Sequence, residues 1–344
     1  MSYMLAEIKE QPEILARLGR EAARETEELA RRIHEEGTEF IVFAARGTSD
    51  HAAVFGQYLF SYLTGIPVAL ATPSLVTIYR RPLRLRKTLV IGISQSGAAA
   101  DVAEYLAAAR KAGAVTALIT NNPASSMATG VEYLLLCRAG EEKAVAATKT
   151  YTAEIALLTL VAMALSGDGS LVRAFAELPE KIRATLALEE PIRAGVERYA
   201  FMEECLVLAR GLNQATALEA ALKIQETSLI GAKGFSAADF AHGPIALLRR
   251  KIPVLLFAPD GATLEGLLGM ARTVRDRGGE LIVFSDREEA LVLGRTAFRL
   301  PAVAEVFSPF TCIVAAQLFA CFLAMAKGLD PDHPAGLTKV TVTR

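Results

Sequence analysis

Two short turns in the first half of the chain carry the residue types that hold phosphate. Gly47-Thr48-Ser49 follows the apolar run Phe40–Ala45, and Ser94-Gln95-Ser96-Gly97 follows Leu89–Ile93. Hydroxyls and backbone N–H groups at the start of a helix cradle an anion, and the helix dipole favours negative charge there. Glycine lets the backbone come close. Serine and threonine are also ordinary helix N-caps; their recurrence at two equivalent strand ends is what points to an anion site. No GxxxxGK[ST] and no GxGxxG occurs, so a nucleotide P-loop and a dinucleotide fingerprint have no support.

Further along, good helix formers fill Leu218–Glu226 and put Glu219, Lys223 and Glu226 on neighbouring helical positions. Two readings fit: a solvated Glu219–Lys223 pair, which spacing alone favours, or an acid/base role for Glu226 set by Lys223 and burial. His242 stands in Ala241-His242-Gly243-Pro244, between an expected helix end and a rigid turn, as a structural or a catalytic histidine. Of the other histidines, His34 reads as a helix-surface residue, His51 as the start of a helix and His333 as part of a tail. Cys137, Cys205, Cys312 and Cys321 form no CxxC or Cys/His spacing, so they read as buried free thiols and no metal is expected.

The elements that position these residues are duplicated. Arg46-Gly47 and Arg210-Gly211 recur 164 positions apart (210 − 46), as do Gly97 and Gly261 (261 − 97). After each later glycine comes a helical pattern, Ala100–Lys111 and Leu264–Arg277, then a strand, Val115–Thr120 and Glu280–Ser285. Continuous apolar strands rather than alternating ones indicate parallel sheets with helices on both faces. The fold class is therefore α/β, with two tandem doubly wound parallel-sheet domains. Expected boundaries are 1–166 for an N-terminal helix plus the phosphate-binding domain, 167–197 for a helical connector, 198–329 for the second domain and 330–344 for a tail. The second half's matching turn, Ala258-Pro259-Asp260-Gly261, has lost both serines and gained an acid, so only the first half is expected to bind phosphate.

Composition sets the outer bounds. The 344 residues are 52% hydrophobic and 22% charged, with a formal net charge of -1. That balance gives no general pull toward nucleic acid or acidic membranes. Residues 1–20 read as an amphipathic helix rather than a secretory signal. Of the apolar stretches, Ile155–Leu165 is short for a bilayer and Cys312–Ala326 carries Gln317. A cytoplasmic protein with no membrane or nucleic-acid partner is expected.

RGTS (46–49), ISQSG (93–97), ATKTYT (147–152), EAALKIQE (219–226), AHGPIALL (241–248) and LTKVTV (337–342) occur in one order across the chain. Together they resemble the SIS (sugar isomerase) domain family, and within it the isomerase part of glutamine–fructose-6-phosphate aminotransferases and the stand-alone glucosamine-6-phosphate deaminases. The resemblance implies two flavodoxin-like SIS domains, a homodimer with active sites near the interface, a sugar phosphate substrate and no cofactor. It implies that Gly47, Thr48, Ser49, Ser94, Gln95, Ser96, Val145 and Thr338 bind the substrate and its phosphate. Glu226 would move a proton between C1 and C2 through an enediol or enolamine, with Lys223 holding Glu226 and the open-chain oxygens. His242, from the neighbouring subunit, would assist ring opening. Lys339 on the tail would close over the substrate and contact its carbonyl end, directly or as an imine.

Three departures accompany the resemblance. The chain opens Met1-Ser2-Tyr3 and goes straight to the SIS part, so ammonia from glutamine is not expected. Ala98-Ala99 stand where the aminotransferases continue with Glu and Thr, and Ala147 stands in place of a serine. The leading expectation is deamination of glucosamine 6-phosphate to fructose 6-phosphate and ammonia. Its alternatives are an isomerase or deglycase on another sugar phosphate, an aminotransferase isomerase domain without its glutaminase, and a non-catalytic sugar-phosphate sensor.

Overall fold

A computed structural model describes residues Ser2–Lys339. Helices α1 (Tyr3–Lys9), α2 (Gln11–Glu21) and α3 (Ala23–Glu35) come first. They are followed by β1 (Phe40–Ala44), α4 (Thr48–Thr64), β2 (Val68–Leu70), α5 (Ser74–Thr77), β3 (Thr88–Ile93), α6 (Ala100–Lys111), β4 (Val115–Thr120), β5 (Tyr133–Leu136) and α7 (Lys149–Ser166). Helices α8 (Gly169–Leu186) and α9 (Glu189–Val196) come next. The second half contains β6 (Glu204–Ala209), α10 (Gln214–Ser228), β7 (Gly231–Ser236), α11 (Ala237–Ala241), β8 (Val254–Phe257), α12 (Leu264–Asp276), β9 (Leu281–Ser285), α13 (Glu288–Leu291), β10 (Thr296–Arg299) and α14 (Ser308–Ala326).

The strands form two five-stranded sheets, ordered β2-β1-β3-β4-β5 and β10-β9-β8-β6-β7. Every pairing in both is parallel. Read from its β7 edge, the second order repeats the first, and both are the doubly wound order in which the chain reverses beside its first strand. β3 and β4 are buried at every position, as strands covered on both faces must be. The duplicated α/β architecture expected from the 164-residue repeat is thus present.

The chain separates into two compact units whose limits are not simple cuts. One holds Glu13–Glu142, Lys149–Ala176 and the segment from Thr338; the other holds the segment up to Pro12, Lys143–Thr148 and Glu177–Leu337. Side chains within the second unit account for its two outlying pieces. The Asp332 carboxylate accepts from Ser2 Oγ at 2.7 Å and from the N–H groups of Tyr3 and Met4 at 2.8 Å each. The Val145 N–H donates to the Asp332 carbonyl at 3.0 Å. Gln11 Nε2 donates to Gln317 Oε1 at 2.8 Å, and Gln317 Nε2 donates to the Thr148 carbonyl at 3.2 Å.

Gln317 sits in the most apolar helix of the chain. By length and composition the stretch Glu305–Ala326, at mean hydropathy 2.0, could cross a membrane, and its apolar window is wholly buried inside the protein. With most of its side chains enclosed, each large one contributing about 1.5–3 kcal/mol, α14 is the central core element of its unit.

The four cysteines are free and buried. Burial pushes the Cys205 and Cys321 thiols up to about 12 and raises Cys137 and Cys312 as well. An unfolded thiol ionises near pH 8.5, so above that pH the unfolded chain releases protons that the folded chain keeps. The stability these thiols contribute is complete below about pH 8 and is lost as pH rises. Ellman's reagent at pH 8 should therefore find no thiol in the native protein and all four in denaturant, and the urea midpoint should fall from pH 7.5 to 9.5. Rapid labelling of the native protein would contradict this burial.

Candidate functional site

The first unit contains both serine-rich turns. Gly47 caps α4, and Thr48, Ser49 and Asp50 form its first turn. The Ser49 hydroxyl is buried and donates to Glu154 Oε1 at 2.8 Å, so it ties α4 to α7. Burial pushes the Asp50 carboxyl up, against the opposing pull of His51 and Arg46. Arg46, the residue before the turn, pairs through Nε with Asp101 Oδ2 at 2.6 Å. Asp101 lies in the first turn of α6, so this pair joins the end of β1 to the helix that follows the second turn.

The second turn is held from β4. The Ser94 N–H donates to the Ile119 carbonyl at 3.0 Å. The Gln95 carbonyl accepts from Thr120 Oγ1 at 3.2 Å and from the Asn121 N–H at 3.0 Å. The Ser96 carbonyl accepts from Asn122 Nδ2 at 3.2 Å. Ser96 Oγ accepts from the Ala98 N–H at 3.3 Å, which leaves its own O–H to donate. With the Gln95 and Ser96 carbonyls engaged behind the turn, the Ser94 and Ser96 hydroxyls and the Gln95 side-chain amide are groups that can donate to an anion. Ala99 is the N-cap of α6 and provides no side-chain cap.

Lys339 belongs to this unit too. Its Nζ donates to Glu142 Oε2 at 3.2 Å, and Glu142 also takes Thr150 Oγ1 at 2.6 Å. Thr338 precedes it; the rest of the LTKVTV run, from Val340, lies outside the described residues.

The other unit contains the helical carboxylates. Lys223 and Glu219 on α10 have fully buried side chains, with Nζ 3.4 Å from Glu219 Oε1. Lys223 also contacts Glu226 Oε2, and the Glu226 side chain remains 23% exposed. The helix face is therefore inward, and the solvated-pair reading of Glu219 and Lys223 gives way to a buried ion triad open to solvent at one carboxylate. His242 is exposed and forms the C-cap of α11, its N–H donating to the Asp239 carbonyl at 3.0 Å. Val145 lies in the segment Lys143–Thr148, with its N–H taken by Asp332.

The structure brings Thr48, Ser49, Ser94, Gln95, Ser96 and Lys339 into one unit, and Val145, Lys223, Glu226 and His242 into the other. Sequence reasoning missed the supports: Asp101, Thr120, Asn121, Asn122, Glu142 and Glu154. Thr120-Asn121-Asn122 after an apolar strand had the composition of a turn, whereas the three acids carried no local signal.

The second half's turn is filled differently. The Asp260 N–H donates to Asp286 Oδ1 at 2.8 Å and the Ala262 N–H to Glu305 Oε2 at 3.0 Å. The protein's own carboxylates take the N–H groups that an anion would need. Among the described residues no cluster of His, Cys, Asp or Glu could hold a metal ion.

Comparison with known proteins places these observations. A family model described as the SIS domain matches residues 38–164 and 203–327. The chain is 36% identical over 353 aligned positions to glutamine–fructose-6-phosphate aminotransferase (isomerizing) of Thermococcus kodakarensis, covering 99% of this chain and 58% of that protein. The chain thus spans a little over half the length of such curated relatives. A solved structure from Silicibacter pomeroyi, provisionally assigned as a phosphosugar isomerase, superposes with a TM-score of 0.89 at 29% identity over 96% of this chain and 100% of that one. The C-terminal domain of glucosamine-fructose-6-phosphate aminotransferase from Francisella tularensis gives a TM-score of 0.84 at 25% identity over 97% and 98%.

Gly97 closes the second turn tightly against Ser125. Its φ is 65°, and a Cβ there would lie 2.3 Å from Ser125 Cβ and Oγ. At Gly113 φ is 84° with nothing within 4 Å. Gly113→Ala should cost about 1–2 kcal/mol in urea unfolding from the backbone alone, and Gly97→Ala a further ~1–3 kcal/mol from overpacking. Equal losses would show that the turn has room for a side chain.

Proposed function

The chain belongs to the SIS domain family, and we propose that it is a phosphosugar isomerase that converts glucosamine 6-phosphate and water to fructose 6-phosphate and ammonia. The observation that carries this reading is the buried triad on α10. A lysine with no exposure is paired with Glu219 and with a carboxylate, Glu226, that retains access to solvent. Aldose–ketose conversion needs one base that takes a proton from C2 and returns it at C1. Glu226 supplies that base and Lys223 fixes its position.

In the open-chain aldehyde, Glu226 removes the C2 proton while O1 takes a proton from solvent to give the enolamine; Glu226 then returns its proton to C1 and the nitrogen releases one proton to solvent, leaving the 2-imine of fructose 6-phosphate. Water adds at C2 and ammonia leaves, so atoms and protons balance. The relatives named above are by name aminotransferases of fructose 6-phosphate, which supports chemistry at a nitrogen on C2. Thr48, Ser94, Gln95 and Ser96 hold the phosphate, with Ser49 supporting the turn through Glu154. Val145 and Thr338 contact the sugar, Lys339 meets the carbonyl end, and His242 assists ring opening from a second subunit.

A second reading is favoured by the bare N-cap at Ala99: isomerisation of another sugar phosphate without ammonia release. Both are tested together. Purified protein with glucosamine 6-phosphate should release ammonia and form fructose 6-phosphate in equal amounts. Glu226→Gln should lower kcat by about 10²–10⁴ and leave calorimetric binding of inorganic phosphate unchanged. Ketose–aldose interconversion without ammonia would select the second reading, and full activity in Glu226→Gln would overturn the assignment of the base.

A further inference from the structure

Glu142 lies between β5 and α7, and its side chain has no solvent exposure. Its Oε1 accepts from the Thr150 N–H at 3.2 Å and its Oε2 from Thr150 Oγ1 at 2.6 Å. Thr150 is in the first turn of α7, where helix N–H groups have no partner within the helix and the dipole favours a carboxylate. The same Oε2 receives Lys339 Nζ at 3.2 Å, across 197 residues of sequence. The lysine side chain is 27% exposed, so the ammonium is held at its inner end while part of the side chain meets solvent.

This is more than an incidental surface pair. Exposed lysine–carboxylate pairs contribute little, because both partners are solvated and free to move. Here the acceptor is buried and fixed by two bonds from one threonine, so its oxygen has a set position before the lysine arrives. A buried carboxylate also draws a cation strongly, since leaving it uncompensated is costly.

Building on the role given to Lys339 above, we propose that Glu142 is its positioning residue: the buried carboxylate fixes where the ammonium stands and delivers it to the carbonyl end of the sugar. Glu142 touches no reacting atom; it acts through the lysine. A base or nucleophile placed by a prearranged partner loses little freedom on binding substrate, and misplacing such a group by about 1 Å costs on the order of 10²-fold in rate.

The test uses Glu142→Gln in the full chain, because the amide oxygen can still accept from Thr150 and keep α7 closed. Site-resolved acetylation followed by mass spectrometry reads the tether without activity. Lys339 should react slowly in the unaltered protein, and about tenfold faster in the folded variant, as an ion pair of about 1.4 kcal/mol would give, while the exposed Lys111 stays the same. With glucosamine 6-phosphate, kcat should fall about 10²-fold with little change in KM. In a Lys339→Ala background the same substitution should cause no further loss, whereas a purely structural role would lower activity in both backgrounds. Unchanged labelling of Lys339 in folded Glu142→Gln overturns the proposal, and so does full activity despite faster labelling. If Lys339→Ala is itself fully active, the role given to Lys339 fails, and this inference with it. If glucosamine 6-phosphate is not turned over at all, the reaction proposed above fails and the labelling alone decides the tether.

Discussion

A lysine ammonium with no solvent exposure cannot stand in a protein interior unpaired, and much of the second unit is arranged around that fact. Lys223 has Glu219 on one side and Glu226 on the other. Removing one partner of such a buried pair typically costs about 3–5 kcal/mol, so the helix carrying all three cannot rotate or fray. The surroundings lock it. Thr227 Oγ1 bonds the Lys223 carbonyl at 2.8 Å and lies 3.3 Å from the Ala320 carbonyl of α14. On the other side β7 runs so close that a Cβ on Gly234 would lie 2.6 Å from the Ala217 carbonyl oxygen. The triad is buried at Glu219 and reachable at Glu226, which turns a structural necessity into a directed carboxylate.

The duplication shows how one turn can be fastened in two different ways. Both halves share strand order and the arginine–glycine and later glycine positions. In the first, the Ser94–Gly97 turn is fastened through its backbone, including the Ser94 N–H and the Gln95 and Ser96 carbonyls. In the second, Asp286 and Glu305 have filled the N–H groups of Asp260 and Ala262. An intramolecular carboxylate is always present, so it outcompetes a free anion without needing tight intrinsic binding. The loss of two serines in Ala258-Pro259-Asp260-Gly261 signalled that change; which acids took over was not readable, because Glu305 lies 43 residues away.

The central strands were legible for a simple reason: β3, β4, β8 and β9 are buried on both faces and spell continuous apolar runs. The edge strands were not. β2 has three half-buried residues, and β7 reads Gly-Ala-Lys-Gly-Phe-Ser, a composition that local propensity assigns to a loop. The serine-rich turns were legible as turns because their hydroxyl and glycine residues stand together at strand ends. At Lys223, periodicity showed which residues share a helix face but not whether that face looks inward, and the solvated reading was the wrong one. Glu142, Glu154 and Asp332 escaped altogether, since an acid's partner 197, 105 or 330 residues away leaves no mark beside it.

Distant polar groups also answer a problem that every buried loop poses. A loop normally stays at the surface because its backbone N–H and C=O groups lack regular partners. Between Lys143 and Thr148 the chain is irregular, yet Ala144, Ala146 and Thr148 are buried. The N–H groups of Lys143, Ala144 and Val145 are met within the unit. The Glu7 carboxylate takes the N–H groups of Lys143 and Ala144, the second at 3.3 Å, and the Asp332 carbonyl takes that of Val145. Gln317 serves the Thr148 carbonyl. Each tether comes from a different part of the sequence, so the loop can take its position only once α1, α14 and the residues around Asp332 have assembled. A backbone fixed in that way has little conformational freedom left to lose. The same polar groups that would make a buried loop unstable therefore become the means by which it is held rigid.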